Sequence, residues 1–306
     1  MTTTFETIPW QDEVKKVAHG IRRRVLEHTI NNNGGYLSQA CSSAEALATL
    51  YVKVMKLGPG VADKIPPRFP GVPSRHNNQS FTGAGYNGPK APGLDRFFLS
   101  AVHYALALYA TLIEVGRMAA EGLAQFNMDG STVEMIGAEH SPGLEVTGGS
   151  LGQTISQAGG IALARRLRGE LDRNWVFMSD GEFQSGQTWE AVQALSYYKL
   201  DRVGVYVDVN GQQCDGKMTE VMNIEPLTSR LEAFGARVFQ VDGHDPDALA
   251  APAALMPDGR PLFVLAYTNP CADMPLLESR RPKLHYVRFK DEGERRRFAQ
   301  HLASMN

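Results

Sequence analysis

Two short apolar runs, Trp175–Met178 and Val203–Val209, each end in a polar turn, Ser179-Asp180-Gly181 and Asp208-Val209-Asn210-Gly211. Between them, Gln187–Tyr198 places Trp189, Val192, Ala194 and Leu195 at roughly helical spacing. The pattern predicts strand, helix, strand, and hence a right-handed parallel crossover. The same period-3.6 patterning predicts a helix over Trp10–Ile30, with Val14, Val17, Ile21, Val25 and Ile30 inward and Arg22-Arg23-Arg24 on a solvated face. Asn31–Gly35 should stop that helix, and Ser42 or Ser43 should cap the next one, which carries Glu45, Leu47 and Tyr51. Gly58–Gly93 reads as a long loop, Phe97–Leu112 as an apolar run, and Ile155–Leu167 as a small-residue helix. Leu227–Phe234 reads as a helix, Arg237–Val241 and Pro261–Tyr267 as strands, and Asp291–Ser304 as an exposed terminal helix. These elements point to an α/β fold with a parallel sheet.

Composition narrows the function classes. The formal net charge of −2 over 306 residues gives no electrostatic case for nucleic acid or a membrane surface. Cys41, Cys214 and Cys271 are scattered without a Cys-x-x-Cys pair, so neither zinc nor a disulfide framework is indicated. Met1–Gln11 has no long apolar run, and a cytoplasmic protein is expected.

In a parallel sheet, ligands bind beyond the carboxyl ends of the strands. Asp180 and Asn210 are both at such ends. A carboxylate and an amide oxygen are hard ligands that suit Mg2+ or Ca2+, and so few protein oxygens leave positions for phosphate. Gly181 allows the backbone to approach that phosphate, and Gly148-Gly149-Ser150-Leu151-Gly152-Gln153 leads into a helix whose N-terminus favours anions.

Asp-Gly followed about thirty positions later by Asn resembles the thiamine diphosphate motif, with Ser179 where glycine is usual. Four segments, GEFQSGQTWEA, KLDRVGVYVDVNGQQCDG, PGLEVTGGSLGQTISQAGGIALA and DRFFLSAVHYALALYATL, are similar to the N-terminal half of transketolase and occur in its order. The resemblance implies one diphosphate-binding domain over residues 1–306 with an N-terminal helical extension, its sheet flanked by helices on both faces. It implies thiamine diphosphate and Mg2+ or Ca2+ as cofactors. The metal ligands would be Asp180, the Asn210 side chain and the main-chain carbonyl of Gln212. Gly149, Leu151, Gly181, Glu182 and Asn210 would meet the cofactor. His103 and His285 match histidines at the active site and substrate channel, and Glu190 matches a member of an acidic network.

Departures from the family pattern fall in the substrate loops. Tyr36 stands where a sugar-binding histidine is expected, and can still donate a hydrogen bond. A second expected histidine is either lost at Ala138 or displaced to His140, which is therefore a candidate catalytic residue. Ser185 replaces a glutamate of the acidic network. His244 is read as structural, beside the helix start at Asp245-Pro246.

The resemblance implies transfer of a two-carbon ketol unit from a ketose, such as a sugar phosphate, to an aldose. In the family, a glutamate that touches the aminopyrimidine comes from a separate pyrimidine-binding domain. Neither that domain nor the family's C-terminal domain has a counterpart in these 306 residues. A partner chain carrying the catalytic glutamate, in an assembly of two copies of each, is the expectation. Alternatives are the equivalent subunit of a thiamine-dependent 2-oxo acid decarboxylase or dehydrogenase, and a non-catalytic homologue.

Overall fold

The computed structural model describes residues 8–72, 74–78 and 81–305, so most of Met1–Gln11 and part of the 58–93 loop lie outside the described residues. The main sheet has five parallel strands, β1 (Arg96–Leu99), β2 (Asn174–Ser179), β3 (Val203–Val209), β6 (Arg237–Asp242) and β7 (Leu262–Tyr267), in the order β1-β2-β3-β7-β6. A two-stranded antiparallel hairpin, β4 (Gln212–Gln213) and β5 (Gly216–Lys217), follows β3.

Alternation along the strands divides the interior into two cores. Phe97, Leu99, Trp175, Phe177, Tyr206 and Val264 point to one side, and Phe98, Val176, Met178, Val205, Val207 and Phe263 to the other. Strands buried on both faces read as continuous apolar runs, which is why Trp175–Met178 and Val203–Val209 are so plain in the sequence. The first side is covered by α1 (Trp10–Asn32), α2 (Leu37–Thr49), α3 (Ala105–Glu114), α8 (Pro246–Ala250) and α9 (Glu292–Ser304). The second is covered by α4 (Thr154–Leu167), α5 (Gly186–Tyr197) and α7 (Leu227–Ala233), with the short α6 (Met218–Val221) beside them. This is the expected α/β architecture with helices on both faces.

In α1, Val14, Val17, Ile21 and Val25 are buried at the predicted spacing. The helix ends at Asn33 in the left-handed region (φ 48), whose N–H donates to the Thr29 carbonyl. Arg22, expected on a solvated face, is instead 2 % exposed. Its guanidinium forks onto both Glu45 oxygens at 2.6 Å and donates to the Cys41 carbonyl at 2.9 Å. His244 Nδ1 lies 2.9 Å from Glu45, and its Nε2 accepts from the Asn269 N–H, which fixes the tautomer with the proton on Nδ1. The triad ties α1, α2 and the β6 end together, consistent with a structural His244.

Ser42 and Ser43 cap no helix: α2 starts at Leu37 and both serines are buried within it. The Phe97–Leu112 run divides into β1, a short 3-10 turn at Val102–Tyr104 and α3. The terminal helix α9 is capped by Asp291, whose side chain accepts from the Glu294 N–H, and it buries Phe298 as well as Glu294, so it is not wholly exposed.

Candidate active site

The carboxyl ends of β2 and β3 lie side by side, because Ser179 pairs in register with Asp208. Chain continuity then brings Asp180 and Asn210 together at the carboxyl end of the sheet. Asp180 Oδ2 accepts the Gly211 N–H at 2.8 Å, and Asn210 Oδ1 accepts the Gln212 N–H at 2.9 Å. Both residues line a cavity of about 260 Å3, together with Gly149, Leu151, Gly181, Gln212, His103 and His285. Eight predicted site residues, from five separate parts of the chain, therefore converge.

The Asn210 amide is aimed by Asp208. Its Nδ2 donates to Asp208 Oδ2 at 3.1 Å and lies 3.1 Å from the Tyr104 hydroxyl, so Oδ1 is the end left for a cation. Asp208 is fully buried. Besides Asn210 it accepts from the Ser42 hydroxyl at 2.5 Å, the Tyr104 hydroxyl at 2.7 Å and the Thr268 hydroxyl at 2.5 Å. Sequence reasoning missed Ser42, Tyr104 and Asp208 as site residues. The available signal was a charged residue, Asp208, inside an otherwise apolar buried strand.

Four predicted residues stand elsewhere. Glu182 is fully buried and absent from the cavity lining. Its Oε1 accepts from the Ser100 hydroxyl at 2.5 Å and the Gly152 N–H at 2.9 Å, and its Oε2 from the Ser179 N–H at 2.9 Å. It fixes the loop that carries Gly149 and Leu151 instead of facing the cavity. Glu190 is exposed on α5 and lines a separate hollow beside α4, not the cavity. His140 stacks on Phe69 (ring centroids 4.2 Å apart), with its Nε2 3.2 Å from a Glu134 carboxylate oxygen, also outside the cavity lining. The loop that bears it is held to Gly83, whose N–H donates to the Glu139 carbonyl at 2.8 Å and whose carbonyl accepts from the Gly143 N–H at 2.9 Å. Tyr36 packs beside the lining residues, with ring centroids 5.8 Å from His103 and 5.5 Å from His285.

The site fits a bound anion and a hard cation. A Cβ built on Gly149 or Gly181 would meet no atom within 4 Å, so both glycines present bare backbone to the open cavity. At Gly152 (φ +80) a Cβ would lie 2.6 Å from Thr188 Oγ1, so the turn into α4 needs glycine. Asp180 is 1 % exposed. Burial first, and then the Asp208 charge, push its carboxyl up to about 8. Among the described residues no Lys or Arg lines the cavity, so only backbone N–H groups, that of Gly211 among them, offset that carboxylate. Gln212 Oε1 is buried without a hydrogen-bond partner among the described residues. Among the described residues no three His, Cys, Asp or Glu side chains cluster for a metal. The donor set is therefore one carboxylate with amide and carbonyl oxygens, which suits an oxygen-seeking divalent cation. An anion could sit beside Asp180 only with such a cation between them. His103 is held neutral, its imidazole lowered to about 3 by burial and then by His285, and burial lowers His285 as well.

Comparison with known proteins agrees with this geometry. Residues 79–269 match the family described as transketolase, thiamine diphosphate binding domain. A putative transketolase family protein of Sinorhizobium fredii is 34% identical over 279 residues, covering 90% of this chain and 90% of that one. A 6-deoxy-6-sulfo-D-fructose transketolase subunit of a Clostridium species is 31% identical, covering 84% of this chain and 85% of its own length. One of the subunits of the apulose-4-phosphate transketolase of Actinobacillus succinogenes is 28% identical, covering 92% and 94%. Transketolase from Leishmania mexicana superimposes with a TM-score of 0.67 at 22% identity, over 95% of this chain but only 45% of that one. This chain thus spans less than half of that solved transketolase and nearly the whole length of the smaller relatives. With a family match over more than half its residues and a relative at 34% identity along 90% of both chains, the chain belongs to the transketolase family, as its thiamine diphosphate binding part.

Proposed function

We propose that the chain is the diphosphate- and metal-binding subunit of a two-chain transketolase that moves a two-carbon ketol unit from a ketose to an aldose. The observation that carries this is the meeting of Asp180, Asn210 and the bare backbone of Gly149 and Gly181 in one cavity. Asp180 and Asn210 Oδ1 would hold Mg2+ or Ca2+, joined by the main-chain carbonyl of Gln212, and the cation would tether the diphosphate. Leu151, 43% exposed at the cavity, offers an apolar surface for an aromatic ring. When bound, thiamine diphosphate supplies the carbanion chemistry for breaking and making carbon–carbon bonds.

His103 and His285, both neutral, would bind and orient sugar oxygens in the cavity, with Tyr36 packed beside them. No glutamate lines the cavity among the described residues, so the acid that must meet the aminopyrimidine would come from a partner chain bearing a pyrimidine-binding domain. Relatives of similar length are named as subunits, which supports this division, and an assembly of two copies of each chain is the expected form. The chain would act in the cytoplasm, and none of the described helices is long and apolar enough to cross a membrane.

Calorimetric titration of thiamine diphosphate with Mg2+ tests the reading, with the chain alone, with its partner and as Asp180→Ala. Binding should require Asp180 and tighten with the partner. A ketol-transfer assay beside a pyruvate decarboxylation assay then separates the transketolase from a 2-oxo acid enzyme. Absence of binding in every state would refute the proposal.

A further inference from the structure

Gln39 lies in the first turn of α2, 3% exposed, and makes two hydrogen bonds to one residue. Its Nε2 lies 3.0 Å from the His285 carbonyl oxygen and 3.1 Å from His285 Nδ1. A carbonyl only accepts, so the amide nitrogen, not the amide oxygen, must occupy that position. Its second hydrogen then points at Nδ1, which must present a lone pair. In a neutral imidazole the proton is therefore on Nε2. The neighbouring Ser38 hydroxyl donates to the Leu284 carbonyl at 2.8 Å, so two successive residues of α2 clamp the 284–285 backbone.

His285 lines the cavity, and its Nε2 has no hydrogen-bond partner among the described residues. The ring is flanked by Tyr36 (centroids 5.5 Å) and His103 (5.1 Å), and burial disfavours its charged form. The charged or titratable groups around it include Tyr36, His103 and Asp215, with Asp180 and Cys214 in the same cavity lining. An imidazolium would also set an Nδ1–H against the Gln39 N–H.

We propose that Gln39 is a positioning residue that locks His285 in the Nε2–H tautomer, so that the cavity is offered a fixed, neutral hydrogen-bond donor for an oxygen of the ketose. The tautomer follows from the Gln39 geometry alone; the ketose as acceptor rests on the function proposed above. A donor of this kind suits a carbonyl, hydroxyl or developing alkoxide oxygen and rejects a substrate group that can only donate.

The test uses the whole chain with 15N-labelled histidine, its eight histidines read by long-range proton–nitrogen spectra near neutral pH, with His285→Asn to identify the resonance. Wild type should show a protonated-type shift at Nε2 and an unprotonated one at Nδ1. Gln39→Leu should give a tautomer mixture. Gln39→Glu, whose carboxylate accepts from Nδ1–H, should protonate Nδ1. A wild-type signal from the Nδ1–H form, or one pattern shared by all three proteins, would overturn the lock. The wild-type spectrum decides this even where a variant folds poorly. With the partner present, Gln39→Glu should lower kcat/KM for the ketose about tenfold, the scale of one misdirected hydrogen bond, while thiamine diphosphate affinity stays within about twofold. An unchanged kcat/KM would overturn the positioning role. The expected spectrum without ketol transfer by the wild-type complex would support the lock and remove the ketose as its acceptor.

Discussion

Replacing Glu182 by glutamine separates two roles that its place in the motif does not distinguish. A glutamate touching the cofactor would lose affinity and little else. A glutamate that holds the Gly152 loop would lose stability first. In the structure its two oxygens take the buried N–H groups of Gly152 and Ser179, one each. An amide keeps one acceptor and turns a donor toward the other N–H, whichever way it is flipped. One buried backbone N–H is then unsatisfied, at a cost of about 1–3 kcal/mol. Alanine would strand both, for roughly 2–6 kcal/mol, which approaches the whole stability of an ordinary domain. Glutamine is therefore the informative change. Denaturant unfolding of the metal-free chain should show a loss of about 2 kcal/mol, and thiamine diphosphate affinity should fall by less than about tenfold as the loop loosens. Unaltered stability beside a loss of affinity beyond about a hundredfold would refute the structural role and restore direct contact.

Arg22→Met leaves Glu45 buried with only His244 as a partner, and should cost about 3–5 kcal/mol in urea unfolding without altering the cavity. Burial lowers the His28 imidazole to about 4, so the folded chain binds fewer protons than the unfolded chain between there and the ordinary value near 6.5. Its contribution is whole above that upper value and is lost as pH falls toward 4; unfolding at pH 7 and pH 5 should show wild type losing about 2 kcal/mol more than His28→Gln. Gly152→Ala places a Cβ against Thr188 and forces a non-glycine residue to φ +80, so it should destabilise by about 1–2 kcal/mol and weaken thiamine diphosphate binding in calorimetry.

The central unit from Trp175 to Gly216 was legible because its strands are buried on both faces and its helix is half-buried, so each has its own period. From that unit the positions of Asp180 and Asn210 followed directly. What stayed hidden was polar and buried. Ser42 has the side chain of a helix cap, yet sits mid-helix because its hydroxyl is needed by Asp208. Arg22 begins a run of three arginines whose other two are partly exposed, and partners distant in sequence, Glu45 and Cys41 on another helix and Asp273, draw it inside. Glu182 suited a cofactor contact and Glu190 an acidic network, but a five-residue 3-10 turn sends one inward to cap Ser179 and the α5 helix turns the other to solvent. His140 was placed by analogy with a loop whose path here depends on Phe69 and Gly83, distant in sequence. Local pattern carries strands and helices, whereas the pairing of polar groups between elements depends on the closed fold.

The Asp208 carboxylate gathers hydroxyls from Ser42, Tyr104 and Thr268, which lie 166, 104 and 60 positions away along the chain. Loops of that length must all close before the carboxylate has its donors, and such long-range closures are late and slow. As the polypeptide leaves the ribosome, the Asp208 carboxylate lacks its Thr268 donor until residue 268 has emerged and β7 has docked beside β3. Nascent chains shorter than this would expose a buried-type carboxylate and an apolar strand edge together, a combination suited to chaperone capture. The full donor set of the buried carboxylate behind the site is thereby completed only when nearly the entire polypeptide has been made.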